Sequence, residues 1–201
     1  MFTGIITHMG ELIKINHLGG DIEVHIKSDF ATRHIAIGQS IACDGICLTV
    51  TKIVNDNNYK ILIFFISKET ISKTIAGIWQ EKQLVNLEFA LSNNSLFDGH
   101  MVTGHIDIRA IVKNIVKEEN SYILEVFLVK EYLEYLISKG SITINGVSLT
   151  INNLDENSFS VNLIPHTWSN TNLQYLHKND QVNIEVDVMA KYIKKYVNHE
   201  K

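Results

Sequence analysis

Short runs of alternating apolar and polar residues, separated by Gly, Asn and Asp, fill most of this chain. Asp21-Ile22-Glu23-Val24-His25-Ile26 alternates strictly and predicts a half-buried strand, introduced by the turn signal Gly19-Gly20. The opening run from Phe2 to Ile15 is rich in β-formers but broken at Gly4 and Gly10, which predicts strand, bulge or bend, and strand. Ser40 to Val50 predicts two β runs around Asp44-Gly45, a tight turn or bulge, and Tyr59 to Ser67 a further strand. Ser28 to Ile35 reads as a capped helical turn ended by Gly38, and Gln83 to Ala90 resumes the alternation before the polar linker Ser92-Asn93-Asn94-Ser95. Many short strands punctuated by turns point to a small barrel or sandwich rather than a parallel sheet.

The same order of elements then recurs. Met101-Val102-Thr103-Gly104 repeats Met1-Phe2-Thr3-Gly4, and Ser141 to Ile151 matches Ser40 to Val50 position for position. His166-Thr167 and Thr171 match Glu69-Thr70 and Thr74, and Val182 to Asp187 matches Val85 to Ala90. Four blocks kept in one order mark an internal duplication. Within the second copy, Leu133, Leu136 and Ile137 predict a helix over Val129 to Lys139 with Gly140 at its C-cap. Beyond Asp187, Met189, Ile193, Tyr196 and Val197 form the apolar stripe of an amphipathic helix that needs a partner surface. The expected organisation is two β modules, residues 1–97 and 98–187, and a helix over 188–201.

Composition narrows the function classes. The 201 residues are 45% hydrophobic and 20% charged, with a net charge of −4 and no basic stripe, which argues against nucleic acid as a partner. No apolar run reaches the roughly 18 residues needed to span a bilayer, and the start lacks the features of a secretory signal, so a soluble, cytoplasmic protein is expected. Cys43 and Cys47 are expected on one face of one strand, too far apart for an easy disulfide, and reduced thiols fit the cytosol. No His and Cys spacing completes a zinc site, so no metal is expected.

In a duplication the informative positions are the mismatches inside matched blocks. Cys47 faces Ser148; both are small residues suited to burial, and they also suit a nucleophile paired with a hydrogen-bonding counterpart. Ala90 faces Asp187 and Glu69 faces His166, each a solvated surface charge or a group that orients or deprotonates a ligand. His100 and His105 flank Thr103-Gly104; a lone histidine is more often a structural group than a catalyst, and the Gly before each, which lets a ligand approach the backbone, raises the catalytic reading. Lys139 is by default a lysine at a helix C-terminus, and otherwise a hand for a polar ligand edge, since nothing here resembles a phosphate loop.

Taken together, Met1 to Ile6, Asp44 to Val50, Gly99 to Asp107, Asn145 to Thr150 and Leu163 to Thr167 resemble the alpha-chain type of riboflavin synthase, a match that runs from Met1 to Asp187. The resemblance implies an all-β chain of two tandem six-stranded Greek-key barrels, each a lumazine-binding module, with short helices and a C-terminal α-helix, assembled as a homotrimer. It implies dismutation of two molecules of 6,7-dimethyl-8-ribityllumazine to riboflavin and 5-amino-6-ribitylaminopyrimidinedione, without metal or organic cofactor. An association with a lumazine synthase shell is left open. The main alternative is a lumazine or flavin antenna protein of the same fold that does no chemistry, and a third is a purely structural tandem-barrel module.

Carried over by motif, an N-terminal pocket comprises Gly4, Ile5, Ile6, Cys47, Leu48, Thr49, Phe65, Ile66, Ser67, Lys68, Glu69, Thr70, Gly104, His105 and Ile106. A C-terminal pocket comprises Lys139, Ser148, Leu149, Thr150, Asn162, Leu163, Ile164, Pro165, His166, Thr167 and Asp187. The acidic C7 methyl of the lumazine makes His105 the candidate base, while Cys47, Ser40 or a water they position is the candidate nucleophile at C7 of the partner molecule. Ser148 and Asp187 would fix the second molecule and Lys139 its polar edge. Asp98 stands where the family usually has Gly, and Ile75 where Asn is common, as Asn172 still follows Thr171.

Overall fold

A computed structural model describes residues 1–30, 35–56, 59–93 and 95–199. The helical turn expected over Ser28 to Ile35 lies largely outside the described residues. The first six strands, β1 (His8–Leu18), β2 (Asp21–Ser28), β3 (Ser40–Cys43), β4 (Ile46–Asp56), β5 (Tyr59–Ile66) and β6 (Leu84–Phe89), close into a barrel in the order β1-β2-β5-β4-β3-β6. The next six are β7 (Ile108–Glu118), β8 (Ser121–Phe127), β9 (Ser141–Ile144), β10 (Val147–Leu154), β11 (Ser158–Leu163) and β12 (Gln181–Val186). They close in the matching antiparallel order β7-β8-β11-β10-β9-β12. Closure leaves no free sheet edge in either barrel.

Alternation drives this architecture. Along β2, Ile22, Val24 and Ile26 face inward and are buried while Asp21, Glu23 and His25 face outward. The two cores are separate: Leu12, Val24, Ile26, Val50, Leu62 and Phe64 fill the first barrel, and Val112, Leu124, Val126, Ile151, Phe159 and Val161 fill the second. Burying each such side chain contributes about 1.5–3 kcal/mol. Even the irregularities repeat: register shifts fall at Leu12/Lys14 and Val50/Lys52 in the first copy and at Val112/Asn114 and Ile151/Asn153 in the second. Such bulges bend a strand so that a small barrel can close.

The short helices also recur, α1 (Lys68–Lys73) after β5 and α3 (Pro165–Asn170) after β11, each followed by a single 3-10 turn. Two local expectations are corrected. The helix foreseen over Val129 to Lys139 is only α2 (Lys130–Leu133), because tighter bonds such as Tyr135 N–H to the Tyr132 carbonyl and Leu136 N–H to the Leu133 carbonyl replace the α pattern. Lys139, not Gly140, holds the left-handed backbone, at φ 66°. Cys43 and Cys47 are not on one strand: the Asp44-Gly45 turn puts them on β3 and β4, and both are free thiols.

The barrels meet along a polar seam with local two-fold pseudo-symmetry. Asn86 on β6 donates from Nδ2 to the Asn145 carbonyl at 3.0 Å, and Asn183 on β12 donates from Nδ2 to the Asp44 carbonyl at 2.9 Å. Their Oδ1 atoms accept from Asn172 N–H at 2.7 Å and Ile75 N–H at 2.8 Å. Both asparagines are fully buried and paired, and losing either would strand several backbone groups. At the centre Gly45 and Gly146 lie backbone to backbone. A Cβ on Gly146 would sit 2.6 Å from the Gly45 nitrogen.

The final helix, α4 (Val188–His199), is tied to the second barrel by Lys191 to Asp107 at 2.7 Å and Lys194 to Glu134 at 2.8 Å. Its apolar stripe of Met189, Ile193, Tyr196 and Val197 faces outward and is exposed. Among the described residues, no helix is long and apolar enough to cross a membrane.

The seam predicts the outcome of two glycine substitutions, both at positive φ. Gly146→Ala combines left-handed strain with a backbone clash and should lose roughly 3 kcal/mol or more in urea unfolding. Gly19→Ala, with nothing within 4 Å of the new carbon, should lose only about 1 kcal/mol. Equal losses would place the strain in the turns rather than in barrel contact.

Candidate functional site

The repeated Met-x-Thr-Gly segments cross between the barrels. Phe2 and Val102 pair antiparallel, Phe2 N–H donating to the Val102 carbonyl at 2.8 Å and Val102 N–H to the Phe2 carbonyl at 3.1 Å. Beyond this crossing each segment lies on a strand of the opposite copy: Ser148 N–H donates to the Gly4 carbonyl at 2.7 Å, and Cys47 N–H to the Gly104 carbonyl at 2.8 Å. Glycine is required at both contacts. Gly4 and Gly104 have φ of 79° and 81°, and a Cβ on either would lie 2.6 Å from the Cβ of Ser148 or Cys47.

Two buried glutamates clamp the segments. Glu88 on β6 accepts from Thr3 N–H at 2.7 Å, Thr3 Oγ1 at 2.8 Å and Gly4 N–H at 2.9 Å. Glu185 on β12 accepts the matching set from Thr103 N–H, Thr103 Oγ1 and Gly104 N–H at 2.7, 2.6 and 3.0 Å. Burial pushes both carboxyls above their ordinary range, while the three donors to each pull the other way. Mismatch-based reading of the sequence passes over these acids because they match. The signal that could have found them is an acid at the same apolar-flanked position of a strand in both copies.

This crossing yields two half-sites. One joins Gly4, Ile5 and Ile6 to Ser148 on β10, and Ile6 packs on the second core. The other joins Gly104, His105 and Ile106 to Cys47 on β4, and Ile106 packs on the first core. Gly4 to Ile6 are therefore placed beside Ser148, not beside Cys47 where the resemblance grouped them; the cross-barrel pairing of Phe2 with Val102 carries them there.

The half-sites differ in polarity. Cys47 packs with Phe2, Ala42, Ala90 and Val102 in a small apolar cluster. Ser148 Oγ instead lies 2.7 Å from Nδ1 of His100, which is buried and whose own N–H donates to the Thr3 carbonyl at 3.1 Å. Burial holds the His100 imidazole below its ordinary value, and the charge of Asp187 works in the opposite direction. A neutral imidazole so placed can take the serine proton or hold the hydroxyl toward a ligand. Asp187 also accepts the Met189 N–H at 2.9 Å at the start of α4, as a helix-capping residue does.

The remaining candidates surround these centres. His105 is exposed, its N–H donating to Thr103 Oγ1 at 3.3 Å. Ser40 pairs with Thr49, two residue pairs along the hairpin from Ala42–Cys47; Thr49 and Thr150 are exposed and Leu48 and Leu149 buried. Phe65 and Ile66 end β5, and Ser67 caps α1, where Lys68, Glu69 and Thr70 follow. Asn162 and Leu163 end β11, and Ile164 leads into Pro165, His166 and Thr167 on α3. Lys139 is exposed, with Nζ 3.5 Å from Asn152 Oδ1. Among the described residues no three His, Cys, Asp or Glu side chains gather as a metal site would require.

Twin barrels, each carrying a segment of the other copy on one of its strands, define a tandem-barrel protein. A lumazine binding domain matches twice, over residues 3–90 and 103–187. The chain is 38% identical to riboflavin synthase of Photobacterium phosphoreum, the alignment covering 97% of this chain and 88% of that one. Against riboflavin synthase of Bacillus subtilis it is 35% identical, covering 98% and 90%. Among solved structures, LumP complexed with 6,7-dimethyl-8-(1'-D-ribityl) lumazine superposes with a TM-score of 0.82 at 27% identity, over 92% of this chain and 99% of that one. The chain belongs to the riboflavin synthase family.

The Ser148 half-site predicts the titration of His100. Its imidazole should titrate below 6.5 by NMR and be neutral at pH 7, and Asp187→Asn, by removing a charge that favours the imidazolium, should lower the value further. An upward shift on that substitution would show that Asp187 does not act on His100.

Proposed function

We propose that this chain is a riboflavin synthase that dismutates two molecules of 6,7-dimethyl-8-ribityllumazine, moving a four-carbon unit from one to the other. The observation that carries the reading is a pair of half-sites with one backbone plan and different side chains. A reaction between two copies of one substrate needs two related pockets that treat their occupants differently. A polar Ser148–His100 pocket near Asp187 and an apolar Cys47 pocket meet that need.

In this reading the exposed His105 takes a proton from the acidic C7 methyl of one lumazine as a general base. Cys47, Ser40 or a water they hold adds at C7 of the other. Ser148, oriented by His100, and Asp187 fix the second molecule, and Lys139 meets a polar edge. No co-reactant enters, because the four carbons lost by one substrate are those gained by the other.

Assembly as a homotrimer fits the surface. The stripe of α4 lacks a cover, and Ile5, Leu96, Phe97 and Met101 are exposed in the segments that carry or precede the half-sites. A neighbouring copy would cover both and enclose ligands that a single chain leaves open. A cytoplasmic location accords with such an enzyme. A non-catalytic lumazine-binding protein is the second reading, favoured by the likeness to the ligand complexes of LumP.

Mixing the purified protein with 6,7-dimethyl-8-ribityllumazine and following flavin absorbance separates the two readings: the enzyme forms riboflavin, the binding protein only a stable complex. Cys47→Ala and His105→Ala should each lower turnover by about 10²–10⁴-fold, whereas Ile46→Val should leave it nearly unchanged. Comparable losses from all three would reject these site residues.

A further inference from the structure

The seam between the barrels departs from its pseudo-symmetry at one buried group. Asp44 and its counterpart Asn145 occupy matching turns, at φ 47° in each, and both accept a β-strand N–H: Asp44 Oδ1 from Asn86 at 2.8 Å and Asn145 Oδ1 from Asn183 at 2.9 Å. From there the two sides diverge. Asp44 Oδ1 also accepts from Asn172 Nδ2 of the second barrel at 2.8 Å, and its Oδ2 accepts from Trp79 Nε1 at 3.2 Å. The residues matching Asn172 and Trp79 are Ile75 and Leu176, which have no side-chain donor. Two side-chain donors therefore join the backbone N–H where the chain has an acid, and apolar residues stand in their places where it has an amide.

We propose that Asp44 and Asn172 form a charge-dependent lock between the two barrels, strongest when the Asp44 carboxylate is ionised. The placement gives the lock leverage on the site: Asp44 lies in the turn that leads into β4 and Cys47, and its own carbonyl holds Asn183 of the second barrel. The lock also accounts for the Ile75 and Asn172 difference, since only the Asp44 side has a carboxylate to satisfy. Three donors point at that carboxylate, a set matched to the charged form.

Burial opposes ionisation and raises the group from 3.8 to about 7, against the pull of Asn86, Trp79 and Asn172. The neighbouring thiol of Cys43 is linked to it electrostatically and is itself pushed up, first by burial and then by the charge of Asp44. The sign follows from the raised value. Between about pH 4 and 7 the folded state holds a proton that the unfolded state releases, so Asp44's contribution to stability falls as pH rises through 7. Above 7 the folded chain depends on the donors to offset a buried charge. Removing Asn172 is then costlier at alkaline than at acid pH.

The test is a double-mutant cycle on the full chain, with urea unfolding of wild type, Asn172→Ile, Asp44→Asn and the double variant at pH 5.5 and 8.5. Asn172→Ile should reduce the folding equilibrium constant about tenfold more at pH 8.5 than at pH 5.5. In the Asp44→Asn background the same substitution should cost the same at both values, since that pair copies the Asn145 and Ile75 side. A pH-independent cost in the wild-type background, or the same pH dependence without Asp44, overturns the proposal. If Asn172→Ile does not fold, Trp79 emission in a Trp168→Phe chain serves instead: a titration near pH 7 that vanishes with Asp44→Asn supports the lock, and an emission flat from pH 5.5 to 8.5 overturns it. Neither readout requires flavin formation, so it stands or falls apart from the assigned reaction.

Discussion

The exchange of two Met-x-Thr-Gly segments between the barrels is the contact on which the rest of the molecule depends. A pair of backbone hydrogen bonds joins Phe2 to Val102, and the next residues deliver the Gly4 and Gly104 carbonyls to Ser148 and Cys47. Glu88 and Glu185 make this crossing affordable by accepting the segment N–H groups that no strand pairs. Each barrel has its own core, yet neither has its own complete half-site. The duplication is thus held together by the same atoms that shape the candidate site.

Pseudo-symmetry and departure from it divide the labour. What both copies share, the clamp glutamates, the seam asparagines and the glycines at close approach, satisfies buried backbone and fixes geometry. What differs, Cys47 against Ser148 and Ala90 against Asp187, changes polarity while leaving the backbone in place. A burial-depressed His100 beside Ser148 gives one half-site a neutral hydrogen-bonding pair, whereas Cys47 packs with Phe2, Ala42, Ala90 and Val102.

Much of the fold was legible because it is local. Strict alternation in β2, the Asp44-Gly45 turn and the repeated blocks lead to short strands in two matching modules, and the resemblance adds the six-stranded barrels that the described residues form. The failures were non-local or marginal. Nothing in the spacing of Gly4 says that its carbonyl meets Ser148 across the barrels, so the resemblance grouped it with Cys47. The helix expected near Leu133 shrank to one turn because its apolar residues also satisfy a run of tighter turns. At the candidate site, attention to mismatches singled out Cys47, Ser148 and Asp187 and passed over the matched Glu88 and Glu185, and His100 was noticed without the serine that it holds.

The central claim is that one chain carries two unlike pockets for the same molecule. Calorimetric titration with a lumazine analogue that cannot transfer carbon counts those pockets directly. The account predicts two analogues bound per chain with distinguishable affinities, the site altered by Ser148→Ala differing from the site altered by Cys47→Ala. A single analogue per chain, or two that respond identically to both substitutions, would contradict it.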